Sequence, residues 1–142
     1  MAKNRPVITG GWLQDHVLLK EDMAASAVTP ARFVYRTATG YAYAPASFKA
    51  YAAIVDFTIA NGTNFTGTEY AAEDYIPVLY PQKGVEANVF VDETSAAIVA
   101  GDYLAVGVDG ALTKGTDATA IAIALEDCTP AANTRIKVEV IA

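Results

Sequence analysis

The chain has 142 residues, of which 53% are hydrophobic and 18% charged, with a formal net charge of −6. At this mass folding removes roughly two-thirds of the unfolded chain's surface, enough for one core without covalent staples, and the composition excludes an intrinsically disordered chain. Sixteen acids face ten bases with no cluster of Lys and Arg, and one cysteine (Cys128) accompanies one histidine (His16). That excludes a phosphate-tracking nucleic-acid binder, a disulfide framework and a Cys/His zinc cluster.

Charge divides the chain. Residues 1–36 carry a net +2 and residues 37–142 a net −8. Residues 1–31 show no sustained apolar period and are punctuated by Pro6, Gly10-Gly11 and Pro30. They read as an irregular N-terminal arm, with a short helical turn near Asp22–Ala27. Residues 32–142 read as one β domain. Phe33–Thr37 and Tyr41–Ala44 flank a turn at Thr39-Gly40, a hairpin pattern. A strand over Tyr51–Ile59 ends in the turn chemistry of Asn61-Gly62 and Asn64–Gly67. Tyr75–Tyr80 is a strand whose Pro77 places it at an edge or a bulge. Val85–Val91 follows.

Tyr103–Val108 runs into Asp109-Gly110 and then Ala111–Lys114, the strongest short-range hairpin signal in the chain. Ala120–Leu125 alternates Ile121, Ile123 and Leu125 with alanines, which suits a strand covered on both faces. Arg135–Ile141 alternates three charged residues with Ile136, Val138 and Val140, one face wet and one in the core. Strands at such spacing with few helical stretches predict an all-β fold, a small β-barrel or sandwich, its barrel-like character strongest over 85–142.

The chemical inventory is thin, and the chain reads as a non-enzyme. His16 follows Asp15, and Ser26, Ser47 and Ser95 lie in no nucleophile elbow. Cys128, between Asp127 and Thr129, has an acidic setting that disfavours a thiolate. The acidic pairs Glu21-Asp22, Glu73-Asp74, Asp92-Glu93 and Glu126-Asp127 have neither calcium-loop spacing nor a strand geometry that would aim both carboxylates at one point. The glycines around 101–110 join strand to strand, not strand to helix, so they form no phosphate cradle. No catalytic residue, metal or cofactor is expected, and no membrane partner: nowhere do 18 apolar residues run together.

The stretch Ala97-Ile-Val-Ala-Gly-Asp-Tyr-Leu-Ala-Val-Gly-Val-Asp-Gly-Ala-Leu-Thr-Lys114, with Ala122–Asp127 and Thr134–Ile141, carries a recognisable pattern of turns and strands. It resembles the small β-barrel module of tailed-bacteriophage capsid decoration (cement) proteins, over about 45 residues. The resemblance implies a structural virion protein, made in the host cytoplasm, that sits on the outside of an assembled capsid. There it would bridge and stabilise major capsid subunits as a homotrimer, with no reaction and no direct nucleic-acid contact. On this reading Lys3, Arg5, Trp12, Leu13, Arg32 and Arg36 are the expected capsid contacts. Tyr41, Tyr43, Tyr51 and Tyr80 are the expected contacts between subunits. The competing reading is a glycan- or receptor-binding β module displayed on a virion or cell surface, using exposed aromatics such as Trp12, Tyr41 and Tyr43.

Overall fold

The computed structural model describes residues 8–10, 17–49, 53–55 and 69–141. Among the described residues eleven strands form in chain order: β1 (Ile8–Gly10), β2 (Val17–Met23), β3 (Phe33–Thr37), β4 (Gly40–Tyr43), β5 (Ala53–Val55), β6 (Tyr75–Pro81), β7 (Glu86–Phe90), β8 (Tyr103–Val106), β9 (Leu112–Lys114), β10 (Ala122–Ala124) and β11 (Arg135–Val140). They make two antiparallel sheets. The six-stranded sheet has the order β1-β7-β11-β10-β8-β9, and the five-stranded sheet β2-β6-β5-β3-β4. Each curls on itself: an isolated parallel bridge joins Val91, just past β7, to Leu112 of β9 in the first sheet, and Ala24, just past β2, to Tyr41 of β4 in the second. A barrel needs a continuous ladder around the ring. One bridge per sheet leaves an all-β sandwich.

The hairpins form where the local chemistry asks for them. Between β8 and β9 the turn residues Asp109 and Gly110 have φ of 52° and 70°, and the Ala111 N–H donates to the Val108 carbonyl. Two positive φ values at the centre of the Val108–Ala111 turn suit a right-twisted hairpin. A Cβ on Gly110 would lie 2.2 Å from the Phe33 carbonyl oxygen, so this turn is also wedged against β3.

Strand alternation explains the core. Register aligns Phe33 with Ile54 and Ile54 with Leu79, so these three share one face of the five-stranded sheet. They join Ala87, Val89, Leu104, Leu112, Ile136 and Val138 of the six-stranded sheet in one apolar cluster. The opposite face presents Val34, Tyr41, Val55, Val78 and Tyr80, which close over Ala24, Val28, Tyr70 and Ile76 as a second cluster. The five-stranded sheet is therefore buried on both sides.

Five expectations change. The segment read as an irregular arm contains β1 and β2: β1 pairs with β7, and β2 pairs with β6 through seven consecutive residues. The helical turn expected near Asp22–Ala27 is replaced by strand through Met23 and a bridge at Ala24. β6 is internal, between β2 and β5, rather than an edge. Its Pro77 is tolerated because the β5 ladder reaches only Leu79 and Val78, so the missing N–H breaks no described pairing on that side. Over Ala120–Leu125 the alanines Ala122 and Ala124 face the core and Ile121 is buried with them, while Ile123 is half-buried and Leu125 exposed, so only the start of this segment is covered on both faces. Lastly, Arg135 lies buried on the face expected to be wet, its Nη2 donating to the Asn88 carbonyl at 3.0 Å and its guanidinium 5.7 Å from the Phe90 ring.

Candidate interaction surfaces

Of the residues expected to touch a capsid, Lys3, Arg5, Trp12 and Leu13 lie outside the described residues, as does Tyr51 among the expected subunit contacts. Arg32 precedes β3 and faces the other sheet. Its guanidinium sits 4.7 Å from the Phe90 ring and 5.9 Å from the Tyr43 ring, and Nη1 donates to the Asp109 carbonyl at 3.2 Å. Arg36, near the far end of β3, is exposed and pairs with Asp22 at 3.1 Å. Four residues of strand separate the two by about 13 Å, so they do not form one basic patch.

Tyr41 and Tyr80 are interior residues. They are 2% and 5% exposed, and their hydroxyls hydrogen-bond each other at 2.5 Å inside the second cluster. In the folded chain neither presents a surface to a neighbouring subunit. Tyr43 is half-buried, and its hydroxyl accepts from the Thr29 N–H at 2.9 Å. The aromatic platform that a glycan-binding module would draw from Tyr41 and Tyr43 is thus committed to the fold.

Beside Arg32 opens a cleft of about 190 Å³ lined by Asp92, Glu93, Val108, Asp109 and Asn133 among others. Its buried carboxylate is Asp92. Oδ1 accepts from the Thr94 N–H (2.9 Å) and hydroxyl (2.7 Å), and Oδ2 accepts from the Val108 N–H (3.1 Å). Burial pushes the Asp92 pKa up, but these hydrogen bonds and the Arg32 charge outweigh it and hold the carboxyl below its ordinary value. A Cβ on Gly107 would come within 2.9 Å of Asp92 Oδ2, so a glycine there lets the turn close over the carboxylate. Accepting three hydrogen bonds, Asp92 acts as a fastener between the loop after β7 and the β8–β9 turn.

Of the candidate reactive groups, His16 lies outside the described residues, and Cys128 and Ser95 are engaged in the fold. The Cys128 thiol is pushed up first by burial and then by the Glu126 charge, which disfavours the thiolate. The Ser95 hydroxyl donates to the Ala96 carbonyl and accepts from the Lys114 N–H. Among the described residues no group of three His, Cys, Asp or Glu side chains is placed to hold a metal ion.

The surface feature that the sequence reading missed is apolar. Segment 98–103 runs antiparallel to segment 123–128. Ile98 and Cys128 exchange backbone hydrogen bonds, Gly101 N–H donates to the Ala124 carbonyl, and Tyr103 pairs with Ile123. Asp102 locks the approach, its N–H donating to the Val99 carbonyl and its carboxylate accepting from the Val99 N–H, with Gly101 at φ 95°. On the outer face of this ribbon Val99 is 55%, Tyr103 39% and Leu125 38% exposed. Three of the five large apolar residues exposed among the described ones therefore share one ribbon. The alternation in Ala120–Leu125 was the available signal, but it does not say where along the strand the large side chains leave the core: Ile121 is buried and Leu125 exposed.

No protein-family model matches the sequence, and no curated protein does. Among solved structures, the N base of head fiber gp8.5 from bacteriophage phi29 is similar to the chain, with a TM-score of 0.62 at 15% identity. The match covers 87% of this chain and 93% of that one. At this identity the likeness is one of fold.

Proposed function

We propose that the chain is a structural protein of a phage virion, attached to the outside of an assembled capsid, where it bridges major capsid subunits and stabilises the shell. The observation that carries this reading is the shared fold with the phi29 head fiber base, over nearly the whole of both chains. The residues that resemble the decoration module support it from another direction. Ala97–Lys114 and Ala122–Asp127 fold together as the ribbon and hairpin of one sheet rather than lying scattered.

The mechanism needs no reactive group. A protein that binds assembled subunits and not separated ones stabilises the assembly by mass action, about 2.7 kcal/mol per site at a hundredfold excess over Kd. Many copies multiply a modest gain at each site. The test uses capsids of the encoding phage that lack this protein. Adding the purified chain should raise the temperature at which they rupture. Changing His16, Ser95 or Cys128 to Ala should leave that effect intact. Purified protein that neither binds nor stabilises those shells would overturn the reading. The homotrimer that the resemblance implies is checked by light scattering on free and shell-bound protein.

A further inference from the structure

The outer face of the ribbon formed by residues 98–103 and 123–128 is built like the centre of a docking site. Val99, Tyr103 and Leu125 are all more than one-third exposed, and exposed Ala97, Ala100 and Gly101 add no polar side chain between them. The Tyr103–Ile123 cross-strand pair continues this face into the sheet. Burial drives large apolar residues inward in an ordinary strand; here Ala122 and Ala124 fill the interior, Ile123 is half-exposed and Leu125 is turned out. The rim is acidic. Glu86, Asp102, Glu126, Asp127 and Glu139 outnumber Lys114 and Lys137 by five to two, and both lysines are already held, Lys114 by Asp102 at 3.2 Å and Lys137 by Glu86 at 2.9 Å.

We infer that this ribbon is the chain's docking surface for the shell, and that it seats a protein surface with an apolar centre and a basic rim. The inference rests on the proposed capsid role and relocates the contact from the basic residues near the N-terminus. Charge selects the occupant. Two copies of this chain meeting ribbon to ribbon would bring carboxylates against carboxylates around a desolvated centre, which costs association. A basic-rimmed partner gains from the same rim while the apolar centre supplies the buried area.

The experiment measures binding of the full chain to capsids that lack it, with three variants. The double variant Val99→Glu/Leu125→Glu places carboxylates in the apolar centre and should bind about tenfold more weakly or worse while keeping a cooperative melting transition, since Val99 is 55% and Leu125 38% exposed. Tyr75→Glu, an exposed apolar residue on the other sheet, should bind as the parent does. Glu139→Lys should weaken binding, and the parent's binding should fall with added salt. Parent-like binding by the double variant, with the parent bound, overturns the ribbon and leaves the capsid role standing. A double variant that breaks a self-associated parent into smaller particles in light scattering assigns the ribbon to a second copy and also overturns the inference. A parent that does not bind shells overturns the capsid role and this inference with it.

Discussion

At Asp92 three donors converge on one carboxylate between the loop after β7 and the β8–β9 turn. Hydrogen bonds to a charged group contribute more than neutral ones, and removing one partner leaves buried donors unsatisfied. Asp92→Ala should therefore lower stability by roughly 1.5–3 kcal/mol, read by urea unfolding at pH 7. The pH dependence has a definite sign. The folded-state pKa lies below the ordinary value of 3.8, so the contribution of the charge is complete above about pH 4 and is lost as pH falls through the folded value. The gap in unfolding free energy between parent and Asp92→Asn should be constant from pH 7 to 5 and narrow below 4. A gap unchanged at pH 3 would show that ionised Asp92 contributes nothing. None of this was legible in the sequence, where Asp92-Glu93 reads as one of four acidic pairs. The partners Val108 and Arg32 are 16 and 60 residues away, and only the folded chain brings them together. Asp109-Gly110 is the opposite case: its positive φ angles are a property of the two residues themselves, and the hairpin was readable from them.

At the level of elements, legibility follows the same division between local and distant causes. β3, β4, β8, β9 and β11 carry alternation or turn residues within their own span and were found near their observed bounds. β2 was missed because Val17-Leu-Leu-Lys-Glu-Asp-Met has no strand period; it becomes a strand through its pairing with β6, more than fifty residues on. The consequence is testable by truncation. Removing residues 1–28 takes away β1, β2 and the buried Ala24 and Val28, strips the second cluster and leaves the long edge of β6 unpaired. The truncated chain should lose its cooperative thermal transition in circular dichroism and aggregate. A sharp transition within a few degrees of the parent would show the segment to be an appendage. The candidate surface divides in a similar way. The motif residues of the ribbon were read correctly as turns and strands, but which side of β10 faces out depends on how tightly the sheet curls, and a period of two does not encode that.

On the scale of the whole molecule, the two sheets are joined by one cluster rather than by a linker, because Phe33, Ile54 and Leu79 sit among residues of the other sheet. This predicts a single cooperative unit in which damage at the junction reaches both halves. Ile54 is the residue to test, being fully buried and central on the shared face, while its neighbour Val55 points into the second cluster. Ile54→Ala should cost about 2–5 kcal/mol through lost burial and the cavity left behind. Two probes report on different regions. The near-ultraviolet tyrosine signal is weighted toward the second cluster, where Tyr41, Tyr70 and Tyr80 are packed, and far-ultraviolet circular dichroism follows both sheets. In the parent the two should trace one transition, and in Ile54→Ala both should shift together by the same amount. If the tyrosine signal moves while part of the far-ultraviolet signal keeps the parent's midpoint, the six-stranded sheet folds on its own. The shared cluster would then be a contact between two units rather than the core of one.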